Sequence, residues 1–180
     1  PDGDRCVVSA VRPDDDVDAY VGQLWEVWLE GGTRRLTRGF RDTAPAYSPD
    51  GRLLAFLRAE KKGKPQIHVV DALGGEPVCL TDNPLGAGAP VWSPSGGQIA
   101  YVARVPEEGR YGTDEEVGPD AEPPRLITDL RYLEDALGYG QDRRSQVFTV
   151  DVPDLSADPL GWEPSSGTQV TSGDHDHWSV

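Results

Sequence analysis

Two stretches of this chain carry nearly the same sequence, about 45 residues apart. TAPAYSPDGRLLAFLR covers residues 43–58, and GAPVWSPSGGQIAYVAR covers residues 88–104. A third copy, PDGDRCVVSAVR, opens the chain without its beginning, so the motif prolines are Pro1, Pro49 and Pro94. Self-similarity at a fixed period of this length is typical of repeat architectures.

Two further phrases recur after each copy and in the same order. The first reads QLWEV, QIHVV and QVFTV and begins at Gln23, Gln66 and Gln146. The second closes each unit at Thr37, Thr81 and Thr171. Three signals in one order, three times over, indicate a true structural repeat.

Each unit predicts four short antiparallel strands. Ser-Pro-Asp-Gly predicts a tight turn, because proline presets φ and glycine accepts positive φ. The β-rich run RLLAFLR follows this turn as a strand, QIHVVDA reads as the next strand, and Gly74-Gly75 reads as a hairpin turn into the closing strand. We therefore predict an all-β fold, a partial β-propeller of about three four-stranded blades, with units at roughly 1–37, 44–81 and 89–171.

The third unit carries a long insertion. Gln66 and Gln146 are 80 residues apart, whereas Gln23 and Gln66 are 43 apart. The extra 37 residues lie between the second and third strands, at about 106–144, and begin with an acidic, proline-broken loop. The next stretch, RLITDLRYLEDALGYGQDRR, fits two patterns. Leucines at 126, 130, 133 and 137 have helical spacing, but the same stretch also alternates as a strand does. We favour an extended hairpin.

The ends of the chain fall at corresponding points of the repeat. The sequence begins inside one turn motif, and the next motif proline would fall just after Val180. Closed propellers typically have four to eight blades. We therefore expect a fragment of one propeller domain, and we expect its open strand edges to prevent cooperative folding in isolation.

The charge of the chain limits its partners. Its net charge is −14, and nucleic acid or an anionic membrane surface would require a basic footprint instead. No apolar run approaches the length of a membrane span. We expect neither nucleic acid nor membrane as a partner, and the sequence leaves a homo-oligomer open.

The two cysteines occupy unrelated repeat positions. Cys6 takes the strand position of Leu54 and Ile99, which predicts a small buried side chain, whereas Cys79 in a closing strand is expected to be partly exposed. They suggest no disulfide framework, which is typical of a reducing compartment. We expect a cytoplasmic protein.

Asp174–His177, reading DHDH, is the most tempting candidate for a metal site. Two imidazoles and two carboxylates could ligate an ion, but a third ligand of known geometry is missing. The segment also matches the loops between blades in the other units. We interpret it as a loop and leave contact with a ligand open.

Two acidic pairs in the insertion could recognise a cation such as a peptide amino terminus. They are Glu107-Glu108 and Glu115-Glu116. In an acidic, proline-rich loop, solvated charge is the simpler interpretation. The sequence therefore assigns no catalytic residue, cofactor or metal ligand to this segment.

Aromatic residues recur at equivalent strand positions. Tyr47 and Trp92 form one pair, and Phe56 and Tyr101 form another. His68 occupies the aromatic position held elsewhere by Trp25 and Phe148. All are predicted to pack in the core.

The repeat resembles a known family. APAYSPDGRLLAFLR followed by QIHVVDALGGEPVCLT resembles the TolB-type propeller repeat. The insertion with PPRLITDLRY and DRRSQVFTVDV is similar to the N-terminal propeller of the prolyl oligopeptidase family, especially bacterial acylaminoacyl-peptidase-like and dipeptidyl-aminopeptidase-like serine peptidases. The resemblance spans essentially the whole chain.

This resemblance implies a downstream α/β-hydrolase domain with a Ser-Asp-His triad, outside this sequence. The propeller would cover that site and restrict entry to short peptides, with no catalytic residue of its own. One alternative is a TolB-like scaffold for protein–protein interaction, which predicts regular blades; the long insertion argues against it. Another alternative is a stand-alone ligand-binding propeller.

Overall fold

The structure is a computed structural model that describes residues 3–128, 130, 132–134, 138–156 and 162–178. All regular elements in these residues are β-strands. They are β1 (Arg5–Asp14), β2 (Ala19–Trp28), β3 (Thr33–Arg35), β4 (Arg41–Tyr47), β5 (Leu53–Ala59), β6 (Gln66–Asp71), β7 (Val78–Cys79), β8 (Val91–Trp92), β9 (Gln98–Pro106), β10 (Leu133–Glu134), β11 (Gly138–Tyr139), β12 (Arg143–Asp151) and β13 (Thr168–Gln169).

The strands form three blades. The second blade is the meander β4-β5-β6-β7, and the third is β8-β9-β12-β13, each with antiparallel neighbours. The first blade contains β1, β2 and β3. One parallel pairing, Gly22 with Arg41, connects it to the second blade. This arrangement confirms the predicted partial propeller of antiparallel blades.

The Ser-Pro-x-Gly motif makes the first hairpin of the second and third blades. The backbone N–H of Leu53 donates to Ser48 Oγ at 2.9 Å, and that of Gln98 donates to Ser93 Oγ at 3.1 Å. Gly51 and its counterpart Gly96 have φ of 71° and 74°, a region that favours glycine. The repeated phrase is therefore one hairpin made twice.

The recurrent Gln and Thr are partners in a single network. Thr81 Oγ1 accepts from the N–H of Ile67 at 2.8 Å and donates to Gln66 Oε1 at 2.8 Å, while Gln66 Nε2 donates to the carbonyl of Asn83. The same contacts recur in the third blade between Thr171, Gln146, Val147 and Gly173. In the first blade Thr37 accepts from the N–H of Leu24. This network joins the third strand to the end of the fourth.

Apolar side chains fill the space between consecutive blades. One cluster lies between the first and second blades and contains Leu24, Leu54, Phe56 and Val70. A larger cluster lies between the second and third blades and includes Ile67, Ile99 and Tyr101 among its buried members. Face-to-face packing of twisted sheets therefore supplies the core.

Cys6 contradicts its prediction, because its side chain is exposed. Its repeat equivalents Leu54 and Ile99 are buried because each packs against the preceding blade. Among the described residues no other blade covers the face of β1 that carries Cys6, so its side chain is open to solvent. Cys79 is half-buried as predicted, and both thiols are free.

A second, shorter insertion was not predicted. The connection from β12 to β13 covers 152–167, whereas the matching turn of the second blade covers 72–77. Part of this connection pairs with the second blade through a bridge between Thr81 and Ser165. Trp162 Nε1 also donates to the carbonyl of Cys79 at 2.8 Å. These contacts connect this second insertion of the third blade to the second blade.

The long insertion lies between β9 and β12, as predicted, but its hairpin is shorter and later than expected. The hairpin pairs Leu133 with Tyr139 and Glu134 with Gly138. Residues 126–128 have no regular secondary structure, and no helix forms in the described part of the insertion. Leu137 lies outside the described residues.

Candidate functional site

The long insertion emerges at one edge of the sheets, which we call the insertion face. Antiparallel pairing brings three further segments to the same edge: the β5–β6 loop at 60–65 and the connections between blades at 82–90 and 172–178. The insertion face therefore gathers the most irregular and polar parts of the chain, where binding residues are usually found.

A cluster of three arginines and two carboxylates holds the insertion against the third blade. Asp142 Oδ2 contacts Arg125 Nε at 2.6 Å and Arg110 Nε at 3.1 Å, and Asp142 Oδ1 accepts from Arg143 Nε at 2.9 Å. Glu122 completes it through ion pairs with Arg143 and, at 3.1 Å, with Arg125. We call these five residues the arginine clasp.

The clasp is electrostatically well matched. Burial alone would raise the pKa of the Asp142 carboxyl, but hydrogen bonds from Arg125 and Arg143 lower it below its ordinary value. Burial opposes the arginines at Glu122 in the same way, and its pKa is also lowered, chiefly by Arg143. Both groups therefore remain ionised at neutral pH, and the clasp stays closed.

Two small clefts flank the clasp. One has a volume of about 290 Å³ and is lined by Pro119, Asp120, Glu122, Arg125, Tyr139 and Arg143. The guanidinium of Arg125 lies 4.7 Å from the centre of the Tyr139 ring. The other, of about 310 Å³, lies between the insertion and the Asp174 segment. Both are at the lower end of the volumes that hold small ligands.

A larger groove of about 470 Å³ lies between the first and second blades. Its walls include Arg38, Phe40, Arg58 and Glu60. Arg58 is already bound by the buried carboxylate of Asp42, at 2.8 Å and 3.0 Å. The charge of Arg58 is therefore already used in the structure of the second blade.

The Asp174–His177 segment lies along β12 as a loop. Arg144 pairs with Asp174 at 3.2 Å and with Asp176 at 3.0 Å. The N–H of Ser145 donates to Asp176 Oδ1 at 2.7 Å, and the N–H of His177 donates to the carbonyl of Ser145. Both carboxylates thus have structural partners. Within the described residues no group of three or more His, Cys, Asp or Glu side chains could hold a metal ion.

The predicted packing residues take two different roles. Phe56 and Tyr101 are fully buried, as predicted. Tyr47 and Trp92 are half-buried, and their polar atoms join blades: the Tyr47 hydroxyl donates to Glu26, and Trp92 Nε1 donates to the carbonyl of Ala46 at 2.9 Å.

His68 packs on the second blade, as its repeat position predicts. Its ring stacks on Phe56 with 5.8 Å between ring centres. Burial lowers the pKa of the imidazole, so the ring is neutral at pH 7. Burial also raises the pKa of the neighbouring Cys79 thiol, which makes it a poor nucleophile.

The acidic pairs of the insertion, Glu107-Glu108 and Glu115-Glu116, are all exposed.

Sequence analysis missed the arginine clasp because its members lie up to 33 residues apart in the chain. The signal that was present is the alternation of opposite charges at Glu122 and Arg125, in the middle of the insertion, and at Asp142 and Arg143, at its end. That the segment carries no catalytic residue stays a prediction.

The stacked blades and the insertion in the third define the class of structure as part of a β-propeller. In the described part of the chain, no helix is long and apolar enough to cross a lipid bilayer. No protein-family model matches the chain.

Comparison with known proteins shows which propeller-containing proteins this chain is similar to. The uncharacterized peptidase YuxL of Bacillus subtilis is 31% identical over 154 residues, which cover 84% of this chain and 23% of YuxL. An acylaminoacyl peptidase of Pyrococcus horikoshii shares the fold, with a TM-score of 0.63 and 18% identity over 82% of this chain and 22% of that one. A protein assigned as TolB from Agrobacterium tumefaciens has a TM-score of 0.51 and 26% identity, covering 82% of this chain and 42% of that one.

These findings confirm the predicted resemblance to peptidase propellers and to TolB-type repeats. The chain spans less than a quarter of the length of the two peptidases that it matches. It is a propeller segment of the kind associated with peptidases.

Proposed function

We propose that this chain is the non-catalytic propeller portion of a serine peptidase of the prolyl oligopeptidase family that hydrolyses short peptides in the cytoplasm. The observation that carries the proposal is the similarity to peptidase YuxL over 84% of the chain. Because that similarity covers 154 residues, it exceeds what a single generic blade motif would produce.

In this proposal the catalytic serine, aspartate and histidine belong to an α/β-hydrolase domain outside residues 1–180. The serine attacks the peptide carbonyl, the histidine transfers its proton, and backbone N–H groups stabilise the oxyanion. The propeller covers that site, so that a short peptide enters and a chain of protein length, folded or unfolded, does not. The substrates belong to the acylaminoacyl or dipeptidyl class.

The insertion face is a candidate for the part of this chain that meets substrate. One of its clefts combines arginine and carboxylate side chains with the ring of Tyr139. Such groups suit the ends and the backbone of a peptide. The arginine clasp would keep the insertion in one position while substrates pass.

A TolB-like scaffold is the second candidate, favoured by the match to TolB from Agrobacterium tumefaciens. A fluorophosphonate probe separates the two on the full-length protein that contains this chain. The peptidase proposal predicts covalent labelling of one serine outside residues 1–180. If the intact, folded protein takes up no label, the proposal is wrong and the scaffold is favoured.

A further inference from the structure

The two junctions between blades differ along the outer strand of the earlier blade. At the junction of the second and third blades, the N–H of Ser165 donates to the carbonyl of Leu80 at 3.1 Å, and its carbonyl accepts from the N–H of Asp82 at 3.0 Å. Trp162, from the same connection, donates its indole N–H to the carbonyl of Cys79 at 2.8 Å. A short segment of the chain is thereby added in parallel to the edge of the second blade.

The corresponding edge is open at the junction of the first and second blades. By the repeat, Leu36, Arg38 and Gly75 take the positions of the three residues that pair through their backbones at the other junction. In the described part of the chain, the carbonyl of Leu36, the N–H of Arg38 and the backbone groups of Gly75 have no hydrogen-bond partner. The groove of about 470 Å³ separates these two segments, since both line it. We call it the open groove.

The walls of the open groove are held in place by contacts of their own. Arg34 Nη1 crosses the junction and donates to the carbonyl of Leu73 at 3.3 Å. Arg58 on the second-blade wall is fixed by Asp42 at 2.8 Å. These contacts position both walls without filling the space between them. An unpaired edge is a template for another strand, and a preformed one loses less entropy when it binds.

Charges of both signs stand at the open groove without a counter-ion. Arg35 and Arg38 are exposed along the first-blade edge, and Glu60 and Glu76 are exposed on the second-blade wall. None of the four forms an ion pair within the described residues. One acidic side chain is therefore attracted to the arginine edge, whereas the two glutamates repel a peptide that carries several.

We propose that the open groove binds a peptide from solution, whose backbone adds to the edge of the first blade as the 162–165 segment adds to the second. One residue of the peptide pairs with the carbonyl of Leu36 and the N–H of Arg38. An aromatic side chain three positions earlier reaches the carbonyl of Arg35, which takes the position of Cys79. In such strand addition the main chain supplies affinity and the side chains supply specificity. The choice of a peptide in solution rests on the proposed function, because a peptidase of short substrates meets extended peptides there.

Fluorescence anisotropy with a labelled peptide tests the open groove. The full-length protein is first treated with the fluorophosphonate, so that a catalytic serine cannot cleave the probe. The probe is WEPSSG, the sequence of residues 162–167, with fluorescein at its amino end and an amide at its carboxyl end. It is expected to bind saturably. The same peptide N-methylated at its first serine lacks the N–H that pairs with Leu36, and is expected to bind about tenfold more weakly.

Arg38→Glu reverses one charge at the edge and is expected to weaken binding of the probe about threefold. Arg12→Glu is the matched control, since Arg12 is exposed on β1, which lies on the other side of β2 from β3. It should bind the probe like the wild type.

Three results would overturn the proposal: no saturable binding of the probe, equal affinity for the N-methylated peptide, or equal affinity in Arg38→Glu and the wild type. Labelling by the fluorophosphonate is read separately by mass spectrometry and decides the peptidase proposal alone. Failure of the groove and failure of the proposed activity are therefore distinguished.

Discussion

Glu26 is a fully buried carboxylate at the junction of the first two blades. It accepts from Arg5 at 2.8 Å, from Arg34 at 2.8 Å and from the Tyr47 hydroxyl at 3.1 Å. These partners come from β1, β3 and β4, so a single side chain fixes strands of two blades. A buried charge is tolerated only when it is paired in this way.

Glu26→Gln should therefore destabilise the protein by about 2 kcal/mol, because two guanidinium groups lose their counter-charge and Tyr47 loses its charged acceptor. Urea titration of the full-length protein, followed by tryptophan fluorescence, measures the change. Glu30→Gln is the control, since Glu30 is exposed in a turn and should be neutral. Equal midpoints for both variants would show that Glu26 does not hold the junction.

Two tyrosines predict a loss of stability at high pH. Burial and Glu26 raise the pKa of Tyr47 to about 12, and burial raises the pKa of Tyr101 to about 12. The unfolded chain releases these protons near pH 10. The stabilisation is therefore complete below about pH 10 and is lost as pH rises towards 12.

Unfolding free energies measured from pH 9 to 12 check this expectation. Tyr101→Phe should flatten the decline, because the phenyl ring keeps the packing and cannot ionise. Tyr20→Phe, at an exposed position, should leave the decline unchanged. A decline of the same slope in all three proteins would contradict the assignment.

At the scale of the element, the Gln–Thr network explains why three short phrases recur in order. The Thr81 hydroxyl takes the place of a backbone carbonyl as the acceptor for the N–H of Ile67. The Gln66 side chain then hydrogen-bonds to the backbone N–H and carbonyl of Asn83, where the chain leaves the blade. The repeat is visible in the sequence because a threonine in each blade accepts the hydrogen bond of the same buried backbone N–H.

Thr81→Val should cost about 1–2 kcal/mol, because the buried N–H of Ile67 and the Gln66 amide both lose a partner while the volume is kept. Urea titration again supplies the measurement. Thr168→Val, at an exposed position in β13, should cost much less. A negligible effect of Thr81→Val would mean that water replaces the hydroxyl.

The arginine clasp governs the order of the long insertion. Asp142→Asn removes the charge that three arginines share, so the insertion should become more susceptible to trypsin at Arg110 and Arg125. Because the pKa values of Glu122 and Asp142 are lowered, the clasp contributes stability above about pH 4 and loses it as pH falls further.

Limited proteolysis at neutral pH, with cleavage sites identified by mass spectrometry, compares Asp142→Asn with the wild type. Asp120→Asn is the matched control from the same insertion, since Asp120 is exposed. Cleavage of the insertion at the same rate in all three proteins would show that the clasp does not keep the insertion ordered.

At the scale of the molecule, the repeat predicted the blades and the position of the long insertion, because periodic patterns report local pairing. It failed at Cys6, because burial at this repeat position requires a neighbouring blade, and none of the described residues supplies one on that face of β1. It also missed the connection between β12 and β13, because that segment is fixed by contacts such as Trp162 with Cys79, far apart in sequence. Long-range pairing of this kind leaves no periodic trace.

The central claim is that these blades restrict a peptidase to short substrates. The direct measurement offers the full-length protein acetyl-alanyl and dipeptidyl chromogenic peptides beside an unfolded protein such as reduced casein. The account predicts turnover of the short peptides, inhibition by the fluorophosphonate, and intact casein. Hydrolysis of casein as readily as of the peptides, or no turnover of either, would contradict it.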